Sequence, residues 1–203
     1  MGLRRITKEG QVYFVTLTVA SWVDVFTRKE YVSEIVESLK FCREKKGLKI
    51  YSYVIMTNHI HMISESEDGV KLNEILGGFK SFTAHQILAA IKSNAKESRK
   101  DWMLHEFASR ARANPASQKF QFWEEGTHPI QIWNDEVLQQ KINYIHNNPV
   151  KSGIVASANE YLNSSAHPNG PIKIDDVKAL AERLTAGAYK YTHTRPAGSV
   201  PGQ

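Results

Sequence analysis

Two histidines in one strand-like run are the residues of this sequence whose types and spacing most directly suggest chemistry. The stretch "YVIMTNHIHMIS" (53–64) is apolar and β-branched, as in a buried strand, yet it carries His59 and His61. Side chains of a strand alternate between its faces, so both imidazoles point one way and Ile60 points the other. Two adjacent rings can bind one metal ion, although hydrogen-bonded structural histidines would give the same pattern.

A second unusual stretch, "INYIHNNPVKSGIV" (142–155), places a tyrosine and an asparagine four residues apart on a predicted helix. Residues at this spacing share a helix face. The Tyr144 hydroxyl is a possible nucleophile, and the Asn148 carbonyl is a possible ligand for a hard divalent cation. Taken alone, each residue also has a purely structural explanation: Tyr144 as a half-buried residue of an amphipathic helix, and Asn148 as the last helical residue before proline. His146 is two residues from Tyr144 and should point elsewhere, as a structural or DNA-contacting residue.

The elements that must position these residues alternate between strands and helices. The glycines Gly77 and Gly78 predict a break or kink in the second helix, and Pro149 predicts the end of the helix that carries Tyr144. This alternation predicts an α+β or α/β sandwich in which helices cover one sheet. Strand character covers 11–20, 48–66 and 120–133, and helical periodicity covers 31–47, a run from about 70, and 135–148.

The domain organisation predicted for the 203 residues is one domain over 1–166 and a C-terminal extension over 167–203. The extension should hold a short helix near Asp175 to Leu184 and a disordered tail.

Composition and charge narrow the function classes. No apolar run approaches the roughly 20 residues needed to cross a bilayer, and no apolar region follows the basic N-terminus as in a secretory signal. The only cysteine, Cys42, fits a reducing compartment, so we expect a cytoplasmic protein without a membrane partner. The net charge of +5 favours an anionic partner, nucleic acid first.

Three motifs, in order, carry a family resemblance over roughly 11–166. "MTNHIHMI" (56–63) resembles the His-hydrophobe-His signature of the HUH endonucleases, and "KINYIHNNPVKSGIV" (141–155) resembles the tyrosine helix of the REP-associated tyrosine transposases. "NEYLNSSA" (159–166) resembles a Tyr-x-x-Ser-Ser-Ala segment downstream in that family. The resemblance implies an α+β fold with an antiparallel-type central sheet flanked by helices, ferredoxin-like or RRM-like.

The resemblance also implies a site. His59 and His61 match the metal-binding histidines, Tyr144 matches the nucleophile, and Asn148 falls where the third metal ligand is expected, with Mg²⁺ or Mn²⁺ as the ion. Two positions depart from the pattern: Thr57 stands where many relatives have proline, and Asn148 stands where the better-known insertion-sequence enzymes have glutamine.

DNA contacts are expected from basic side chains, with an aromatic residue as a base-stacking platform. Each of these residues could equally be a solvated charge or a core aromatic. "FKSFTAHQI" (79–87) resembles a family helix that lies near the DNA, which favours Lys80 among them. The candidates are Arg4, Arg5, Arg28, Lys80, Lys119 and Lys151, with Trp123 or Phe122 for stacking.

The function implied by the resemblance is metal-dependent nicking and strand transfer through a 5′-phosphotyrosine intermediate. The substrate would be single-stranded, hairpin-bearing DNA like a repetitive extragenic palindrome (REP), and the protein would act as a monomer or homodimer. One alternative is a DNA-binding protein that keeps the transposase fold without catalysis. Another is a metal-dependent hydrolase of small molecules, for which no second His or carboxylate cluster supplies further ligands.

Overall fold

A four-stranded antiparallel sheet is the centre of the protein. The computed structural model describes residues 7–8, 10–113 and 119–193, so the candidate DNA contacts Arg4 and Arg5 lie outside the described residues. The strands are β1 (Val12–Thr18), β2 (Leu48–Ile55), β3 (His59–Ser66) and β4 (Ile130–Ile132).

The strand order is β2-β3-β1-β4, and every neighbouring pair is antiparallel. β2 and β3 are joined by residues 56–58, and the His59 carbonyl accepts from the Met56 N–H at 2.8 Å. The register pairs Thr16 of β1 with His61 of β3 and Thr18 with His59. The α+β fold with an antiparallel sheet flanked by helices, as the sequence predicts, is confirmed.

Five α-helices in the described part of the chain cover the two faces of this sheet. They are α1 (Lys29–Lys45), α2 (Leu72–Ser93), α3 (Lys100–Arg112), α4 (Asp135–Lys151) and α5 (Val177–His193).

The larger hydrophobic core lies between one sheet face and the helices α1, α2 and α3. Ile35, Leu76 and Phe107 of these helices are buried there against strand residues such as Leu17 and Met62. Burial of such side chains contributes on the order of 2 kcal/mol each, which makes this face the main source of stability.

The smaller core lies on the opposite face, under α4 and α5. Phe14 and Ile63 of the sheet pack there with Leu138 and Ile145 of α4 and Leu180 of α5. β1 and β3 turn Thr16 and His61 to this same face, because these residues alternate with the large-core residues along each strand.

Two helices differ from the prediction. α2 runs unbroken through Gly77 and Gly78, because both glycines are exposed while Leu76 and Phe79 beside them are buried and anchor the helix. α4 continues past Pro149 to Lys151. Pro149 is buried in the last turn, and its carbonyl accepts from the Ile154 N–H at 2.9 Å, so the helix loses only the bond that proline cannot donate.

The C-terminal segment packs along β2 before it forms α5. The Ser165 N–H donates to the Tyr53 carbonyl at 2.9 Å, and Arg183 of α5 forms an ion pair of 2.6 Å with the buried Glu65. The helix predicted near 175–184 is α5, which is longer than the sequence indicates. The predicted disordered tail covers the last dozen residues, 192–203: Thr192 and His193 belong to α5 instead, and 194–203 lie outside the described residues. The domain boundary at residue 166 stays a prediction. No helix among the described residues is long and apolar enough to span a membrane.

Glu97 is a buried carboxylate whose removal should destabilise the fold. It accepts from Arg28 Nε at 3.1 Å and from Arg99 Nε at 3.1 Å, and Arg99 also donates to the Asp24 carbonyl at 2.8 Å. Glu97→Gln should therefore lower the free energy of unfolding by about 2 kcal/mol at pH 7, as measured by urea titration. The exposed Glu37→Gln is the control and should change it little.

The same ion pairs predict a pH dependence. Hydrogen bonds from Arg99 and Arg28 lower the pKa of Glu97 to about 2, from an ordinary value of 4.5. A lowered pKa in the folded state stabilises the fold above pH 4.5, and this contribution is lost as the pH falls towards 2. Between pH 5 and pH 2 the wild type should lose more stability than Glu97→Gln; equal losses would contradict this assignment.

Candidate active site

His59 and His61 lie side by side at the start of β3, on the face covered by α4. Their ring centroids are 4.6 Å apart. His61 is buried, with 7% of its surface exposed, and His59 is half-buried. The strand alternation expected from the sequence therefore brings both imidazoles to one place.

Hydrogen bonds hold the Nδ1 atoms of both rings. His61 Nδ1 lies 2.9 Å from Thr16 Oγ1 on the neighbouring strand. His59 Nδ1 lies 2.7 Å from Asn58 Oδ1, while the Asn58 amide nitrogen donates to Asp24 Oδ1 at 2.9 Å and to the Trp22 carbonyl at 3.2 Å. These two acceptors fix the orientation of the Asn58 amide, so its oxygen must accept from His59 Nδ1–H. His59 Nε2 then carries a lone pair, as a metal ligand requires.

Burial keeps both histidines neutral. It lowers the pKa of His59, and it lowers the pKa of His61 to about 3, where repulsion from a protonated His59 and from Lys141 adds to the effect. A neutral imidazole is the form that binds metal, so no proton has to be displaced from either ring at pH 7.

Tyr144 is brought to these histidines by α4. Its ring centroid is 5.2 Å from that of His61 and 5.8 Å from that of Phe14, and 40% of the residue is exposed. The hydroxyl-bearing ring thus packs against a candidate metal ligand while remaining open to a substrate.

Contacts at the start and in the body of α4 set the position of Tyr144. Asn134 caps the helix by accepting from the Val137 N–H at 2.9 Å. Further along, His146 Nε2 lies 2.9 Å from Ser165 Oγ and 3.2 Å from Ser52 Oγ. These contacts give His146 a structural role, on a different side of the helix from Tyr144.

Asn148 follows Tyr144 by one helical turn and is half-buried. Among the described residues its side-chain amide has no hydrogen-bond partner, so its oxygen can act as a ligand. No cluster of three or more His, Cys, Asp or Glu side chains is available for a metal in the described ranges. A divalent-ion site made of the two imidazoles and the Asn148 amide oxygen, completed by water or phosphate oxygens, therefore stays a prediction.

Two lysines flank the tyrosine ring. Lys141 Nζ lies 4.9 Å from the ring centre of Phe14 and 5.8 Å from that of Tyr144, and Lys151 Nζ lies 5.8 Å from Tyr144 on the other side. Lys151 was expected from the sequence to contact DNA, whereas Lys141 was missed. The signal was present: Lys141 precedes Tyr144 by three residues and Lys151 follows it by seven, which is one helix face.

The remaining basic candidates do not gather at this site. Arg28 pairs with Glu97, and Lys119 is exposed with its Nζ 5.8 Å from the Phe120 ring centre. Lys80 donates to the Glu124 carbonyl at 2.7 Å and to the Gly126 carbonyl at 2.8 Å. Burial lowers the pKa of Lys80 to about 8, and the paired carbonyls give it a structural role. Contact of these residues with DNA stays a prediction.

The expectation that Trp123 or Phe122 stacks on DNA bases is wrong for this structure. Trp123 is 5% exposed, packs against Phe26 and Phe79, and donates from Nε1 to Thr83 Oγ1 at 3.1 Å. Phe122 is 2% exposed. Both rings are core residues, so neither presents a face to a base.

Trp22 is a second exposed aromatic residue at the site, and nothing in the sequence singled it out. It is 62% exposed, and its ring centroid lies 5.8 Å from that of His59. Its position depends on Asn58, which binds its carbonyl, and on Asp24, which accepts from Thr57 Oγ1 at 2.6 Å. Thr57, which stands where many relatives have proline, thus helps to order the turn beside the histidines.

Comparison with known proteins identifies the family. The family model described as "Transposase IS200 like" matches residues 10–119, which is more than half of the chain. The chain belongs to the IS200-like transposase family. The matched range includes His59 and His61 and ends before the tyrosine helix α4. The assignment supports DNA transposition as the class of activity. A search of curated proteins finds no match.

Two solved structures are similar to this IS200-like chain. One is described as the REP-associated tyrosine transposase bound to a REP hairpin; it is 18% identical, has a TM-score of 0.56, and the match covers 87% of this chain and 91% of that one. The other is a transposase-like protein from Deinococcus radiodurans R1, at 14% identity and a TM-score of 0.43, over 72% of this chain and 97% of that one. The first likeness supports the transposase fold.

Proposed function

We propose that this IS200-like protein nicks single-stranded, hairpin-bearing DNA and rejoins it through a 5′-phosphotyrosine intermediate on Tyr144. The observation that carries the proposal is the packing of the Tyr144 ring against His61, with centroids 5.2 Å apart, beside the His59–His61 pair. A nucleophile and a pair of metal-ligating side chains at this separation can act on one phosphate.

The proposed chemistry is an in-line displacement at phosphorus. Tyr144 Oη forms a bond to the scissile phosphorus, and the bond from phosphorus to the 3′-oxygen breaks. The phenol proton passes to solvent, and the departing oxygen takes up a proton to become a 3′-hydroxyl. The phosphate stays bonded to Tyr144 and to the 5′-oxygen of the downstream strand, so a later attack by a 3′-hydroxyl restores a phosphodiester without an external energy source.

The candidate metal ligands are His59, His61 and Asn148. The chemistry supplied by a bound Mg²⁺ or Mn²⁺ is polarisation and orientation of the scissile phosphate. The Nδ1 contacts with Asn58 and Thr16 hold the two rings so that their Nε2 atoms can face the ion.

Lys141 and Lys151 complete the proposed site on either side of Tyr144. Their ammonium groups can bind the phosphates that flank the scissile one and hold the strand across the tyrosine. The open side of Tyr144 favours a single strand, because a flexible strand can bend so that its phosphate reaches a side chain packed on the sheet. The REP hairpin bound by the similar solved structure supports a hairpin next to that strand.

The test is covalent capture. The protein is mixed with labelled single-stranded hairpin oligonucleotides and Mn²⁺, then denatured and analysed for a protein–DNA adduct, which peptide mapping should place on Tyr144. Omission of the divalent ion should abolish the adduct. Tight hairpin binding without any adduct, with Mn²⁺ shown to bind, would favour the alternative of a DNA-binding protein without catalysis.

A further inference from the structure

A groove of about 690 Å³ opens at the end of β1, lined by Thr16 and Thr18 of that strand, by Trp22 and by Arg110 of α3. We propose that it binds one unpaired base of the single strand next to the scissile phosphate, with Trp22 as the stacking surface; this rests on the proposed function. Its volume is in the range of small-ligand sites and can hold a nucleobase. The lining side chains used here are Thr16, Trp22, Arg110, Glu124 and His128.

The groove is continuous with the candidate active site through two of these residues. Thr16 contributes to its wall and also bonds to His61 Nδ1. The Trp22 ring packs edge-to-face against His59, with centroids 5.8 Å apart. A base held against Trp22 would therefore belong to the same strand as a phosphate at Tyr144, close to it along the chain.

The backbone holds Trp22 exposed at the cost of local strain. Ser21 and Trp22 adopt φ values of 56° and 55°, in the left-handed region that bulky residues rarely occupy. Hydrogen bonds fix this turn: the Trp22 N–H donates to the Val19 carbonyl at 3.1 Å, and its own carbonyl accepts from Asn58. Residues with a strained backbone that is held in place by many surrounding contacts are found mainly at functional sites. Because 62% of Trp22 stays exposed in this turn, most of its surface is available to a ligand.

The charges of the wall favour a base over a phosphate. Glu124 accepts from the Ser21 N–H at 3.2 Å and from Arg110 at 2.7 Å. The ion pair neutralises Arg110, and Glu124 repels a phosphate while its oxygens can still accept hydrogen bonds from a base edge. His128, with φ 43°, places a further polar ring at the groove. An aromatic face with polar groups around it is the arrangement that binds an unstacked base.

The test compares two equally exposed tryptophans. Trp133 is 59% exposed and does not line the groove, so Trp133→Ala is the matched control for Trp22→Ala. Both are made in the Tyr144→Phe background with Mn²⁺, and affinity is measured by fluorescence anisotropy for the tightest binder from a pool of hairpins with single-stranded flanks. Loss of one stacked base should weaken binding about 10-fold for Trp22→Ala and less than about twofold for Trp133→Ala. Trp22→Phe should restore most of the affinity.

A second measurement locates the base. Flanking nucleotides are made abasic one at a time, and one position should weaken binding with Trp22 present but have no further effect in Trp22→Ala. The proposal is overturned if Trp22→Ala behaves like Trp133→Ala, or if its loss is the same at every abasic position. The proposed function is judged separately, by the Tyr144 adduct in the wild type: adduct formation with no effect of Trp22→Ala would overturn the groove alone.

Discussion

Tyr144→Phe should abolish the covalent protein–DNA product while hairpin affinity changes little. The substitution removes only the hydroxyl, so the contacts of the ring with His61 and Phe14 remain. Loss of a nucleophile removes the bond-forming step itself, and we expect strand cleavage to fall by on the order of 10⁴-fold or more. The measurement pairs a denaturing gel for the adduct with an anisotropy titration for binding.

Tyr161→Phe is the matched control for this substitution. The Tyr161 hydroxyl donates to the Ile55 carbonyl at 2.8 Å, so its loss costs one hydrogen bond and about 1 kcal/mol of stability. Adduct formation should persist in this variant. If Tyr144→Phe cleaved DNA as fast as Tyr161→Phe, another group would be the nucleophile.

His59→Ala should lose metal-dependent cleavage with little loss of fold. His59 is half-buried and lies outside both hydrophobic cores, whereas His61 is buried against Phe14 and Tyr144. Substitution of His59 should therefore disturb packing less than substitution of His61, so that a loss of cleavage can be assigned to the metal site. Loss of one of the two imidazoles should weaken Mn²⁺ binding by more than about 100-fold. Mutation of a residue that only hydrogen-bonds to a metal ligand already lowers metal affinity by about 10- to 100-fold. Calorimetric Mn²⁺ titration and adduct yield should fall together.

The exposed His85 on α2 provides the control. Its ring is bonded to the Ser81 carbonyl at 2.7 Å within the same helix, so His85→Ala removes an imidazole without touching the site. Mn²⁺ affinity and adduct yield should match the wild type. Undiminished Mn²⁺-dependent cleavage by His59→Ala would exclude the two-histidine metal site.

Much of the fold could be predicted because the deciding patterns are local. Alternation in β3 is enough to put His59 and His61 on one face, and a helical spacing of four is enough to align Tyr144 with Asn148. The order of strands and helices along the chain then restricts the architecture to a sheet covered by helices. The chemical roles proposed for these residues came from the family resemblance, because periodicity indicates where a side chain points and not what it does.

The aromatic residues show where local patterns fail. Trp22 and Trp123 are the same residue type near strand ends, yet one is exposed beside His59 and the other is buried among Phe26 and Phe79. The difference arises from distant contacts: Asn58 holds the Trp22 turn, and Thr83 accepts from Trp123. No glycine or asparagine at 21–22 signals the left-handed turn, so the sequence offered no cue to it.

The contacts of Lys80 depend in the same way on residues distant in the sequence. Its carbonyl partners at 124 and 126 are more than forty residues away along the chain. The side chain therefore stabilises the loop at 124–126 through hydrogen bonds that local sequence does not indicate.

The unequal cores on the two faces of the sheet predict that one helical layer opens more readily than the other. The layer of α4 and α5 rests on the smaller core, so its amide protons should exchange through openings of lower free energy than those of α1, α2 and α3. Such an opening would carry Tyr144 away from His61 while the histidines stay fixed on β3. Under the proposed function, the active fraction of the protein would be the fraction of molecules in which α4 and α5 stay packed on the sheet. A DNA hairpin that contacts both Lys151 and the sheet would raise this fraction.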